Sequence, residues 1–243
     1  MLNLLQEIES QPKVDPSDFI KNIISNLTHE IRTPLNGMLG FSNLLLSNSL
    51  DNQKKTDYLK YFNFSGIEIT NIFDNLIDLN SLESGNYKTN LSKFSLHLIF
   101  SKIYDKIEKK YPLQKVNIKL AVRENCNKYI ISDQKLIIEI FKHLIDNALK
   151  YSSFKDIQFG CYKEGEEMVF FVKDEGIGIP ELNNKYLLYK KFYQLHMGPS
   201  RSHNGLGIGL TIAKKMVELF SGKIWYQSEV NQGTTFYFSI PYL

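Results

Sequence analysis

The sequence is poor in cysteine, and its two, Cys126 and Cys161, lie far apart in no metal-ligand spacing. That argues against a disulfide-stapled scaffold or a thiolate zinc cage; the expectation is two reduced thiols in a reducing compartment. Long apolar runs are missing as well: none approaches the roughly 18 residues a bilayer-spanning helix needs. The opening "MLNLLQEIESQPK" has the wrong charge order for a signal peptide, so the chain is expected to be soluble. Charge of one sign is not in excess. The net is +3 with 23% charged residues and no long Lys/Arg block, which speaks against a nucleic-acid partner. No G-x-x-x-x-G-K-[ST] occurs, so a P-loop is excluded at the level of sequence. Internal repeats and low-complexity segments are also lacking.

What is present is enough apolar material, 43% of 243 residues, to bury substantial cores in one or two domains. Residues 1–16, with Pro12 and Pro16, read as a lead-in helix or linker. Asp15 or Ser17 can then cap a helix in which Ile20, Ile24, Leu27, Ile31, Pro34, Met38, Phe41 and Leu45 recur at steps of four and three. A second helix follows "SNSLDNQKK" and runs to about Glu83, with Leu59, Phe62, Ile69, Phe73 and Leu76 on one face and Gly66 leaving a gap. It ends at Gly85, suited to a left-handed C-cap. Two helices with one stripe each cannot close a core alone. A hairpin pairing with its twin into a four-helix bundle would, so a homodimer is expected. After Tyr87, helical and strand patterns alternate, with hairpins around Gly165 and near Asn231–Gly233. That order favours an α+β two-layer sandwich, with helices on one sheet.

The stretch "SNLTHEIRTPLNGMLGF", Ser25 to Phe41, places Pro34 inside the first helix. An interior proline costs about 3 kcal/mol and removes a backbone hydrogen bond. One turn past His29, it frees the carbonyl of Glu30, and heptad counting puts His29 on the outer face together with Thr33. A neutral imidazole nitrogen can attack phosphorus when a carboxylate holds the proton of its other nitrogen, and Glu30 is adjacent. The defect reads as strain tolerated at a working site. "HEIRTPL" resembles, without a gap, the phosphoacceptor box of sensor histidine kinases. The resemblance implies that His29 is phosphorylated, that Glu30 is its acid/base, and that Thr33 helps position water when the phosphorylated partner is dephosphorylated.

Two glycine clusters stand elsewhere. "DEGIGIP" sets Asp174 before Gly176 and Gly178 at a strand end, and "NGLGIGL" sets Gly205, Gly207 and Gly209 before a helix. Glycines at a helix start let N–H groups approach phosphate, and a carboxylate at a strand end can select an exocyclic amine. Between the two parts, Glu139, His143, Asn147 and Lys150 form a polar stripe on "EIFKHLIDNALKYS". An amide oxygen such as that of Asn147 is an ordinary Mg²⁺ ligand, Lys150 could meet a phosphate, and Tyr151 could pack on a base or ribose.

In order, "HLIDNALKYS", "DEGIGIP", "KKFYQ" and "GLGIGL" resemble the N, first-glycine, F and second-glycine boxes of the histidine-kinase ATPase domain, the Bergerat fold of the GHKL superfamily. The resemblance implies three parts: an N-terminal linker or signal-input segment at 1–16, a dimerisation and phosphotransfer hairpin at 17–88, and an ATP-binding domain at 89–243. It implies ATP and Mg²⁺ as cofactors, with Asn147 the metal ligand. Asp174 would read the adenine amine, Gly176 and Gly178 would shape the pocket, and Gly205, Gly207 and Gly209 would approach the phosphates beneath a lid at 181–204. His143, Lys150 and Tyr151 would complete the nucleotide site. The expected activity is autophosphorylation of His29, transfer to an aspartate of a response-regulator receiver domain, and phosphatase activity toward that regulator. A cytoplasmic location follows, with any sensor domain or membrane anchor lying outside this sequence.

Three departures from the pattern stand out. His143 occupies a position where the family often has Asn; Lys190, Lys191 or Gln194 stands where acidic residues or arginine are common; and the lid is short of glycine before Gly198. His196, Arg201 and His203 read as solvated lid residues and His97 as structural. The alternatives are an ATP-binding regulatory scaffold, a phosphatase-dominant homologue without autokinase activity, and a GHKL ATPase of the chaperone, gyrase or mismatch-repair kind. "HEIRTPL" on a preceding hairpin argues against the last.

Overall fold

A computed structural model describes residues 16–47, 50–85, 87–111, 117–123, 129–153, 155–182, 185–195 and 205–242. The chain divides between Gly66 and Ile67 into two compact units.

The first unit is a pair of helices, α1 (Pro16–Leu45) and the first half of α2 (Asn52–Glu83). α1 opens on Pro16, where a missing N–H costs nothing, and continues through Pro34 without a break. Asp51 caps α2, its Oδ1 accepting from the Lys54 amide at 2.8 Å. The helices meet small against large. A Cβ on Gly37 would lie 2.9 Å from Ser65 Oγ, while Met38 Sδ stands 3.9 Å from where a Cβ on Gly66 would be. The gap left by Gly66 is thus where the Met38 thioether packs. Phe41 stacks on Tyr61 with ring centroids 5.1 Å apart. Among the described residues of this unit only Pro34 and Ser65 are fully buried, and Ile20 and Ile24 stay more than half exposed. The seam is there; one copy does not close it.

The second unit begins with the second half of α2, which buries Leu79, and continues as β1 (Ser92–Ser95), α3 (Leu96–Lys110), β2 (Ile118–Val122), β3 (Tyr129–Ser132), α4 (Gln134–Tyr151), β4 (Ile157–Glu164), β5 (Glu167–Asp174), a 3₁₀ turn (Lys185–Tyr189), α5 (Gly209–Leu219), β6 (Lys223–Glu229) and β7 (Gly233–Pro241). The large sheet has the order β2-β4-β5-β7-β6. All its pairings are antiparallel except β2 with β4, which is parallel. Both expected hairpins form. A separate ladder of β1 on β3 was not legible, since two four-residue strands show almost no alternation.

Alternate residues of the central strands, Phe159 and Cys161, Phe170 and Val172, Phe236 and Phe238, turn to the helices and are almost wholly buried. α4 lies at the centre. Its Phe141 meets Phe100, Phe159, Phe170 and Phe238 at centroid distances of 6.0, 5.7, 5.7 and 5.3 Å, all edge-on. Such pairs add about 0.5–1.5 kcal/mol each beyond the area they bury. Asp133 caps α4 through Oδ1 on the Leu136 amide and ties in the chain before β1 through Oδ2 on the Asn90 amide. The core therefore fixes the end of α4, where Asn147, Lys150 and Tyr151 sit, against the ends of β5 and α5.

Candidate functional site

On α1, His29 is exposed, Glu30 half-buried and Thr33 exposed, with buried Pro34 next to it. The Thr33 hydroxyl donates back to the His29 carbonyl at 3.1 Å. The imidazole stands on the outer face, where a second molecule can reach it.

The second unit assembles its site from four segments. Asp174 ends β5 and is 4% exposed. Its Oδ1 accepts from the Gly176 amide at 2.8 Å and the Thr234 amide at 3.2 Å. Burial raises this carboxyl above the ordinary carboxylate range, and the two amides partly oppose that. The first glycine box is strapped on both sides. The Ile177 amide donates to the Tyr151 carbonyl at 3.2 Å, and the Ile177 carbonyl accepts from Asn231 at 2.8 Å. Gly178 has φ +70°, and a Cβ there would lie 2.1 Å from the Glu229 carbonyl oxygen, so no larger residue fits. A Cβ on Gly176 would fall 2.5 Å from the Tyr151 oxygen.

The second glycine box lies before α5, whose N-cap is Ile208 with no side-chain cap. The first amides of α5 thus lack a side-chain acceptor, an arrangement that favours an anion. α4 brings its polar groups to this end. Lys150 Nζ is 2.7 Å from where a Cβ on Gly205 would be and lies over the Tyr151 ring, 5.3 Å from its centroid. His143 Nδ1 is 3.7 Å from the corresponding point on Gly209. Half-buried Asn147 is on the same helix face, four residues after His143 and three before Lys150.

The polar stripe expected on α4 is not one solvated face. Glu139 is turned away in ion pairs with Lys106 (2.7 Å) and Lys142 (3.3 Å). His143 is 5% exposed and belongs to the buried face, and its Nε2 has no partner among the described residues. Burial depresses its pKa to about 4, opposed by Asp146 and Glu139 and reinforced by Lys142 and Lys110. His143 is therefore a neutral imidazole at physiological pH. His97 is exposed on α3, not packed as a structural residue would be. In the F box, Lys191 pairs with Glu83 at the end of α2, as does Lys215 of α5 more distantly at 3.8 Å, while Lys190 is exposed. His196, Arg201, His203 and the part of the expected lid at 183–184 and 196–204 lie outside the described residues, as does Cys126.

Sequence reasoning did not give Thr234 or Asn231 a part in the site, and it marked Gln194 as an F-box departure without its bond to Gly205. Thr234 and Asn231 act through backbone amides, and Gln194 through a long-range side-chain bond to the Gly205 carbonyl. Nothing local marks such partners; Thr234 is 60 positions from the carboxylate it contacts. Among the described residues no three His, Cys, Asp or Glu side chains gather as a metal cage. A divalent cation would fit only as a guest of nucleotide phosphates and water, with the Asn147 amide oxygen as the protein's contribution.

The model of the His Kinase A (phospho-acceptor) domain matches residues 20–85, and that of the histidine kinase-, DNA gyrase B- and HSP90-like ATPase matches residues 132–243. The chain belongs to the sensor histidine kinases. Over 222 residues it is 31% identical to the circadian input-output histidine kinase CikA of Synechococcus elongatus, an alignment covering 90% of this chain and 29% of CikA. The chain thus spans less than a third of that relative's length. The structure is similar to full-length ShkA in complex with AMPPNP (TM-score 0.63, 21% identity, 91% of this chain, 46% of that one). It is also similar to histidine kinase ThkA in complex with the response regulator protein TrrA (TM-score 0.61, 20% identity, 93% of this chain, 63% of that one). At these identities the likeness is one of fold. A helical hairpin followed by a two-layer α/β ATPase domain is the shared architecture of this histidine kinase core. Among the described residues no helix is long and apolar enough to cross a membrane.

Proposed function

We propose that this histidine kinase core phosphorylates its own His29 with ATP and passes the phosphoryl group to an aspartate of a response-regulator receiver domain. The observation that carries the reading is the pairing of an exposed imidazole on a helical hairpin with a glycine-built, lysine-flanked anion site in a separate unit. ATP would bind with its adenine amine on Asp174 and its phosphates between Lys150 and the amides of Gly205, Gly207 and Gly209, with Tyr151 against the base or ribose. Gly176 and Gly178 keep the floor of the base pocket low. When bound, Mg²⁺ would neutralise phosphate charge, held from the protein by Asn147 beside His143.

For transfer, a lone pair on one His29 ring nitrogen forms the N–P bond as the bond from the γ-phosphorus to the bridging oxygen breaks. ADP leaves with that electron pair, and the proton of the other ring nitrogen goes to Glu30. Lys150 offsets the charge on the phosphates, and the rest of the catalysis is positioning. The same hairpin would act as a phosphatase on the regulator, Thr33 helping to place the attacking water. ThkA, solved with its response regulator, supports the choice of partner. The half-exposed seam of α1 supports a homodimer.

We assign residues 1–16 to signal input, 17–88 to dimerisation and phosphotransfer, and 89–243 to ATP binding. The matches at 20–85 and 132–243 support that division. The compact units part earlier, at Gly66, the second half of α2 belonging to the second unit. A cytoplasmic location, by itself or as part of a membrane-anchored sensor, belongs to the same reading.

Incubation with γ-labelled ATP and Mg²⁺ tests it. The expected product is an acid-labile, base-stable label that is absent from His29→Ala. Nucleotide binding without any label would make the chain an ATP-binding scaffold, and rapid hydrolysis unaffected by His29→Ala would make it an ATPase of another kind.

A further inference from the structure

The segment around Phe192 is stitched to the second glycine box at three points. Thr211 Oγ1 donates to the Tyr189 carbonyl at 3.0 Å, the Phe192 amide donates to the Gly207 carbonyl at 3.0 Å, and Gln194 Nε2 donates to the Gly205 carbonyl. The second is backbone to backbone and indifferent to side chain, and the first needs only a hydroxyl on α5. The third is carried by one long amide.

A glycine-rich strand that presents N–H groups to a phosphate also carries carbonyl oxygens, whose negative ends repel that phosphate. The Gly205 carbonyl is held by Gln194, and beside Gly205 stands Lys150 Nζ, 2.7 Å from where a Cβ would be. One residue thus fixes an acceptor dipole next to a cation, at the approach to the uncapped end of α5. The groups around Asp174 belong to a different strap, built from Tyr151, Asn231 and Thr234, none of which bonds to Gln194.

We propose that Gln194 is a positioning residue for the phosphate part of a bound nucleotide. Its N–H holds the Gly205 carbonyl aside, and its neutrality matters because a carboxylate there would compete with the phosphates for the Lys150 ammonium. The idea rests on the nucleotide reading above. Gln194 touches neither reacting atom, and it separates recognition of phosphates from recognition of the base.

The test is calorimetric titration of the 243-residue chain and its variants with Mg²⁺–AMPPNP and, separately, with adenosine. Gln194→Glu is expected to weaken AMPPNP about tenfold while adenosine binding stays within about twofold, because it frees the Gly205 carbonyl and sets a competing carboxylate near Lys150. Gln194→Ala, which only deletes the donor, should lose less. Gln194→Arg keeps N–H donors at the same reach and should bind AMPPNP at least as tightly as the unaltered chain. Equal losses for both ligands, an unchanged AMPPNP affinity in Gln194→Glu, or a loss in Gln194→Arg matching that in Gln194→Glu would each overturn the proposal. Failure of the unaltered chain to bind either ligand would instead overturn the nucleotide reading itself.

Discussion

The two units solve opposite problems. The helical hairpin leaves His29 outside and builds little around it: the imidazole is exposed, among the described residues Thr33 bonds along its own helix, and the apolar seam is half open. The ATPase unit closes a dense aromatic core and ties its site together from residues as far apart as Asp174 and Thr234. In the proposed reaction a phosphoryl group passes between molecules, and an accepting side chain serves best when no partner holds it. A nucleotide site must hold a ligand still, so its groups are cross-braced. The hairpin is incomplete alone; the ATPase unit is not.

That contrast can be strained from both ends. The largest effect is expected at the hub of the second unit. Phe141→Ala removes four edge-on ring contacts and leaves a cavity under the sheet, and should cost about 3–5 kcal/mol. Denaturant unfolding would show it; a loss below about 1 kcal/mol would mean that the core has other anchors.

His143 comes next. Its unfolded imidazole titrates near the ordinary 6.5, whereas the folded one titrates at about 4. Between these values the unfolded chain takes up a proton that the folded one refuses. Stability should therefore fall as pH drops from 6.5 to 4, by roughly 3 kcal/mol at the lower end, and should not change on this account above or below that window. In His143→Asn the acid loss should shrink by about that amount, read from melting temperature against pH. Identical profiles in the two proteins would show that the imidazole gains a proton without cost.

The smallest effect on chain stability belongs to the hairpin. Ile24→Asp sits on a side chain 57% exposed in one copy and should move unfolding by no more than about 0.5 kcal/mol. Yet it should shift the chain from dimer to monomer in sedimentation. Retention of the dimer would place the second copy elsewhere.

Much of this was legible in the residues. The four-three spacing of α1, the outward place of His29 and the two glycine boxes all depend on neighbours within a few positions, and local geometry translates those directly. The β4–β5 and β6–β7 turns were readable for the same reason. His143 was misplaced because a stripe counted at steps of four says which residues share a face, not what covers that face. In α4 the covered face extends to position 143, so a polar position became a buried one. Glu139, another member of the stripe, is held instead by Lys106 on another helix. The β1–β3 ladder was invisible for want of length, and the parallel pairing of β2 with β4 because strand direction is set by the path of the connecting chain.

By itself the sequence determined the two helices, the outward-facing His29 with its proline, and the glycines that admit backbone where side chains would clash, all consequences of short-range sterics and periodicity. Only the tertiary structure decided which imidazole is neutral, which carbonyl Gln194 holds and which amides brace Asp174. Burial and hydrogen bonding at those points come from segments that are distant along the chain and adjacent only after folding.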